Sequence, residues 1–90
     1  MLIKVLKCKA VTPAKLSLQF NDGSAGVADL TDLIEQEGAM VAPLRDPSFF
    51  QRVFLEAGAP TWPNGFDLAP WALHRDLKAA GRLEPAAQDV

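Results

Sequence analysis

The sequence predicts an α+β domain: a two-layer sandwich whose antiparallel sheet, a three-stranded meander plus a short hairpin, is covered by short helices. Three observations carry that prediction. Residues 15–21 alternate apolar and polar without a break, and Asp22-Gly23 interrupts the alternation where a hairpin would turn. From Asp29 onward the apolar residues recur at helical spacing instead. The chain has 90 residues, which is enough for one domain with a thin core.

Residues 2–11 mix β-branched and long apolar residues with lysines and read as the first strand. Thr12-Pro13-Ala14 turns the chain into the second, where Leu16, Leu18 and Phe20 share one face and Ser17, Gln19 and Asn21 the other. Asp-Gly is a strong signal for a hairpin turn in which both residues need positive φ. A third strand over residues 24–28 then pairs back, with Ala25 and Val27 pointing inward. Leu30, Leu33 and Ile34 mark a short helix within residues 29–37, which Asp29 or Thr31 can cap and Gly38 can end.

Asp46-Pro47 sets a capping acid before a proline at the first helical position, and Phe49, Phe50 and Val53 follow at spacings that aim rings inward. Residues 53–57 and 60–62 read as a second hairpin joined through Gly58-Ala59, and Pro63-Asn64-Gly65 is turn chemistry. The last helix runs from Ala69 to Ala80, with Asp67 near its cap, Pro70 in its first turn and Gly81 closing it. Trp71, His74 and Leu77 share one of its faces. The domain spans residues 1–81, and residues 82–90, which lack periodicity, form a flexible C-terminal tail.

Charge gives no overall pull toward nucleic acid, since nine Lys and Arg face eleven Asp and Glu for a net charge of −2. Its distribution is uneven. Lys4, Lys7, Lys9 and Lys15 precede every acidic residue, and on a strand solvated along one face they form a basic stripe. Such a stripe is able to touch phosphate, although strand lysines commonly solubilise a face or guard a sheet edge. Cys8 is the single cysteine, so no intrachain disulfide forms, and the expected role is a small buried hydrophobe. No stretch reaches the roughly 18 apolar residues of a membrane span. The N-terminus is apolar first and basic afterwards, the reverse of a secretory signal, so the expected location is cytoplasmic.

Each candidate for chemistry meets a plainer explanation. His74-Arg75-Asp76 spells the three letters of a kinase catalytic loop without the lobes that make the motif work. A nucleophilic triad would need His74 as base with Ser17, Ser24, Ser48 or Cys8, and none of these sits in a nucleophile elbow. One cysteine and one histidine make no paired metal-ligand spacing. Asp29, Asp32, Glu35 and Glu37 fall at a helix start and on its exposed face, where the helix dipole and solubility account for them. Gly23 to Gly26 is too short for a phosphate loop. Trp62 is expected in the core, and Trp71 stands between core packing and an interaction surface.

In order along the chain, Leu18-Gln19-Phe20-Asn21-Asp22-Gly23 with Asp29-Leu30 and Leu33, then Pro43-Leu44-Arg45-Asp46-Pro47, then Trp62-Pro63-Asn64-Gly65-Phe66-Asp67-Leu68-Ala69-Pro70, resemble the domain-of-unknown-function 2442 family over residues 3–74. The Trp-Pro-Asn-Gly-x-Asp-Leu run is the most specific of these segments. The resemblance implies a two-layer α+β domain in a small bacterial protein without assigned enzymatic activity. In that family some longer members carry a helix-turn-helix domain after this module, and others are encoded beside a second small protein in a toxin–antitoxin-like arrangement. This sequence ends soon after its last helix and carries Trp-Ala-Leu-His there, and both departures weigh against a DNA-binding role by analogy.

The leading expectation is therefore a non-enzymatic protein-interaction module that needs no cofactor or metal, the regulatory member of a two-gene pair. Its partners would be a second copy of itself, paired through an edge strand or through the Trp71 helix, and another protein, with Trp71 and His74 on the candidate surface. The rival is a nucleic-acid-binding accessory that uses the stripe of Lys4, Lys7, Lys9 and Lys15. A third reading is a small-ligand binder or enzyme, which would need Asn64, Asp67 and His74 to converge.

Overall fold

The structure, a computed structural model, describes residues 2–11 and 13–86. The larger of its two sheets is antiparallel in the order β1 (Val5–Val11), β2 (Lys15–Phe20), β3 (Ser24–Asp29), β6 (Glu84–Pro85). The smaller is a hairpin of β4 (Phe54–Glu56) and β5 (Ala59–Thr61). The helical elements are α1 (Thr31–Ile34), a 3₁₀ turn at Ala42–Arg45, α2 (Pro47–Phe50) and α3 (Pro70–Ala79). This is the predicted α+β class, an antiparallel sheet with short helices.

The alternation of β2 sets the core. Leu16, Leu18 and Phe20 are each at most 1% exposed and pack with Val5, Leu44, Phe50, Trp62, Leu73 and Leu77. Burying side chains of this size contributes about 1.5–3 kcal/mol each relative to exposure. In β1, Cys8 and Ala10 stand opposite Leu18 and Leu16 on the inward face, which leaves Lys7 and Lys9 on the outer one. The register shifts between Val5 and Lys7, a bulge that turns Leu6 out to 61% exposure.

The inward face of β3 is the opposite of the predicted one. Val27 is exposed and Ala28 buried, because Leu16 pairs with Ala28 and Leu18 with Gly26. Small residues there let α3 lie close. A Cβ on Gly26 would sit 2.9 Å from the Arg82 carbonyl oxygen and 3.1 Å from Leu77 Cδ1.

The turn with both φ positive, expected at Asp22-Gly23, is found in the other hairpin. Between β2 and β3 only Gly23 has positive φ, and its N–H donates to Phe20 O, so Asn21, Asp22 and Gly23 form a three-residue loop. The two-residue turn with both φ positive lies between β4 and β5, at Ala57 (φ 52°) and Gly58 (φ 82°), one position before the predicted junction. Alanine is an unusual occupant of the left-handed region.

α1 is shorter than residues 29–37. The Arg45 guanidinium donates to the carbonyls of Ile34 and Gln36, which satisfies oxygens that further helical turns would otherwise use. Gly38 stands past the helix, and its carbonyl accepts from Val41 and Ala42. α2 follows its signals: the Asp46 carboxylate accepts the Ser48 N–H at 2.9 Å, with Pro47 at the first helical position.

Asp67 does not cap α3. The residue preceding that helix is Ala69, without a side-chain cap, and the Asp67 backbone instead bridges to Thr61. At the other end Gly81 does close the helix: its N–H reaches Lys78 O and the Arg82 N–H reaches Leu77 O, the paired bonds of a Schellman stop. That stop returns the chain to the sheet. Glu84 and Pro85 pair with Ala25 and Ser24, and the Ala86 N–H donates to Gly23 O, so residues 84–86, placed by the sequence in the tail, add a short edge strand to the sheet. Thr12 of the first turn and residues 87–90 of the tail lie outside the described residues.

Candidate functional site

The end of β3, the start of α1 and one side of α3 enclose a groove. It consists of two adjoining clefts of about 360 and 260 Å³ that share Asp29, Leu30, Leu73 and Asp76. The floor is apolar, made by Leu30 and Leu73, with Leu77 at one end and Leu33 and Leu68 at the other. The rim is acidic, with Asp29, Asp32 and Asp76 against Arg82. Helical geometry explains the placement: Ala72, Asp76 and Ala80 are four residues apart and line one side of α3, with small residues keeping the groove open. Asp29 accepts from both the Thr31 hydroxyl at 2.6 Å and the Thr31 N–H at 3.0 Å. The hydroxyl bond first, then the N–H bond and the nearby Lys15 and Arg82, hold its carboxyl below the ordinary range.

On another side of α3, His74 Nε2 lies 2.8 Å from Asp22 Oδ2. The His74 ring also meets Phe20 edge to face, with centroids 5.1 Å apart. The other Asp22 oxygen accepts from the Ser24 hydroxyl at 2.6 Å and the Ser24 N–H at 3.0 Å. These bonds, the Ser24 hydroxyl foremost and His74 after it, hold Asp22 down at about 2. An ionised carboxylate only accepts, so Nε2 carries the proton it shares with Asp22. Serine, carboxylate and imidazole thus meet in the wrong order for acyl transfer. A nucleophilic serine must touch the imidazole, whereas here the hydroxyl donates to the carboxylate, which orders a turn.

The other predicted residues are dispersed. Asn64 is held in a turn, its Nδ2 donating to Met40 O at 3.0 Å and its Oδ1 accepting the Phe66 N–H. Asp67 is exposed, and neither it nor Asn64 lines the groove or bonds with His74. Lys7, Lys9 and Lys15 occupy the exposed outer face of the sheet, but Lys4 departs from that row to lie along Gly58. Burial pushes the Cys8 thiol up to about 11, which keeps it protonated and unreactive. Trp62 is fully buried, whereas Trp71 is 58% exposed with the Arg75 guanidinium 5.1 Å from its ring centre.

Among the described residues, no three His, Cys, Asp or Glu side chains gather to hold a metal ion, and no helix is long and apolar enough to cross a membrane. Sequence reasoning missed the groove and the Asp22 partner of His74. The four-residue spacing of Leu73 and Leu77 with Asp76 between them was the available signal for the groove. Nothing in sequence links positions 22 and 74, since their contact depends on how α3 crosses the sheet.

Neither a curated protein nor a solved structure matches the chain. The family described as "Protein of unknown function (DUF2442)" matches residues 9–79, which hold the end of β1, all of β2 to β5, the Trp62 turn and all of α3. The chain belongs to the DUF2442 family.

Proposed function

We propose that this chain is a non-enzymatic protein-interaction module that receives an apolar, basic segment of a partner protein in the groove beside α3. The observation that carries the proposal is the pairing of a leucine floor with an acidic rim. Apolar area supplies affinity in such a groove, and complementary charge supplies orientation and selectivity. A small partner encoded beside it, in a toxin–antitoxin-like arrangement, would make this chain the regulatory or neutralising member. The proposal invokes no cofactor. It places the chain in the cytoplasm, where a lone protonated thiol suits the reducing environment.

The test is co-purification with tagged wild type, with Ala80→Trp, which fills the groove, and with Asp32→Lys/Asp76→Lys, which reverses its rim. The expected result is a protein retained by wild type and by Lys7→Glu/Lys9→Glu but lost from both groove variants. Equal retention by all four, or substrate turnover that disappears with His74→Ala, would overturn the reading.

One observation favours a second reading. Lys7, Lys9 and Lys15 share an exposed sheet face, which supports contact with nucleic-acid phosphates. Lys15 stands opposite Asp29 across the strands, which weakens the attraction. Binding of this kind falls steeply with salt, so failure to retard DNA or RNA at low salt removes it.

A further inference from the structure

The groove requires an apolar side chain next to a positive charge, and α3 displays that combination on its neighbouring stripe. Trp71 is 58% exposed, with the Arg75 guanidinium stacked over its ring. Trp71, Arg75 and Lys78 follow one stripe of the helix, while Ala72, Asp76 and Ala80 follow the adjacent stripe on the groove side. A knob and a complementary socket therefore lie side by side on one element. That is the condition for an isologous contact, in which each copy gives what the other receives.

We infer that a second copy of this chain docks antiparallel along α3, with Trp71 of each copy seated in the groove of the other. This inference rests on reading the groove as a docking surface. Placing the two-fold axis between Arg75 and Asp76 sets the register: Trp71 faces Ala80 of the second copy, Ala72 faces Ala79, and Arg75 faces Asp76. The alanines allow the helices to approach closely. Arg75 and Asp76 now pair within one chain at 3.1 Å, and their side chains are 62% and 70% exposed, so exchanging partners costs little desolvation. The same arrangement brings Arg75 of each copy toward the acidic rim of its neighbour. One ten-residue helix contact falls below the roughly 1,200 Å² of a standard interface, so the dimer is weak, with Kd in the micromolar range.

Sedimentation equilibrium of the purified chain up to about 1 mM tests the inference, since even a weak dimer registers there. Wild type is expected to dimerise reversibly. Trp71→Ala and Asp76→Arg should each weaken the dimer by about tenfold or more, as expected for an aromatic anchor and a charge pair at the centre of a small interface. The swap Arg75→Asp/Asp76→Arg should recover much of the loss, which a merely destabilised fold would not do. Circular dichroism verifies that each variant is folded. A monomer throughout the range, or a dimer that neither single substitution weakens, overturns the inference. If the chain is monomeric yet its partner protein is still lost from the groove variants, self-docking fails and the proposed function stands. If the dimer forms as described but no groove-dependent partner exists, the heterotypic reading fails and self-docking stands.

Discussion

Around Trp62 the polar groups close on one another. The indole N–H donates to Phe50 O at 3.0 Å, the Trp62 N–H to Phe66 O, and Asn64 ties both Met40 and Phe66. Along α3 the Arg75 and Asp76 side chains are 62% and 70% exposed, beside a groove whose floor is set by the core residues Leu73 and Leu77. Both regions lie on the same core, yet the Trp62 turn is closed by its own hydrogen bonds, whereas the groove keeps the charged rim of Asp29, Asp32, Asp76 and Arg82 exposed. Capacity for a partner resides where such satisfaction is incomplete. Trp-Pro-Asn-Gly, the most specific run in the sequence, is thus a structural device.

Replacing Trp62 tests that contrast most strongly. Trp62→Ala should destabilise by about 3–5 kcal/mol in chemical denaturation, from the cavity it leaves, with a further penalty for a Phe50 carbonyl that loses its donor. Filling the groove with Ala80→Trp should change stability by no more than about 0.5 kcal/mol, because Ala80 is exposed and its neighbours bond elsewhere. Comparable losses in the two variants would erase the distinction.

Gly26→Ala comes next. Its Cβ would approach the Arg82 carbonyl to 2.9 Å and push α3 away from β3, which should cost about 1–3 kcal/mol. Because the groove lies where α3 meets β3, the same change should widen it and weaken partner retention. A Gly26→Ala protein of wild-type stability would mean that α3 is not held close by that glycine. The effect of Ala57→Asn is smaller and of opposite sign. Asparagine tolerates φ 52° better than alanine, so the β4–β5 turn should gain about 0.5–1 kcal/mol, and partner binding, remote from it, should stay unchanged.

Local chemistry explains which parts of this architecture were legible in the sequence. The alternation through Leu16, Leu18 and Phe20, the Asp46-Pro47 cap and the Gly81 stop act within a few residues, and each is realised. β3 misled because Val27, its bulkiest apolar residue, points outward: register with β2 sets Gly26 and Ala28 opposite Leu18 and Leu16 on the inward face, where α3 leaves room only for small residues. β6 was illegible because its two residues pair through backbone alone, in a stretch containing proline. The groove required three separate segments to assemble, and only Leu73, Asp76 and Leu77 left a local trace.

The Asp22–Ser24–His74 cluster lies between the two extremes, satisfied within itself yet near the surface, and pH separates its contribution from theirs. Asp22 is held at about 2, below its ordinary value of 3.8, first by the Ser24 hydroxyl and then by His74. A carboxylate depressed in the folded state contributes stability that is present above its unfolded value and is lost as pH falls through the folded one. Wild type should therefore lose stability between about pH 4 and pH 2, and Asp29, depressed by Thr31, adds to that slope. Asp22→Asn should be less stable than wild type at neutral pH, with the difference narrowing through that window. The effect is small because Asp22 is exposed and water competes for its oxygens. Denaturation curves for the two proteins that ran parallel from neutral pH to pH 2 would show that the bonds to Ser24 and His74 order the turn without favouring the charged carboxylate.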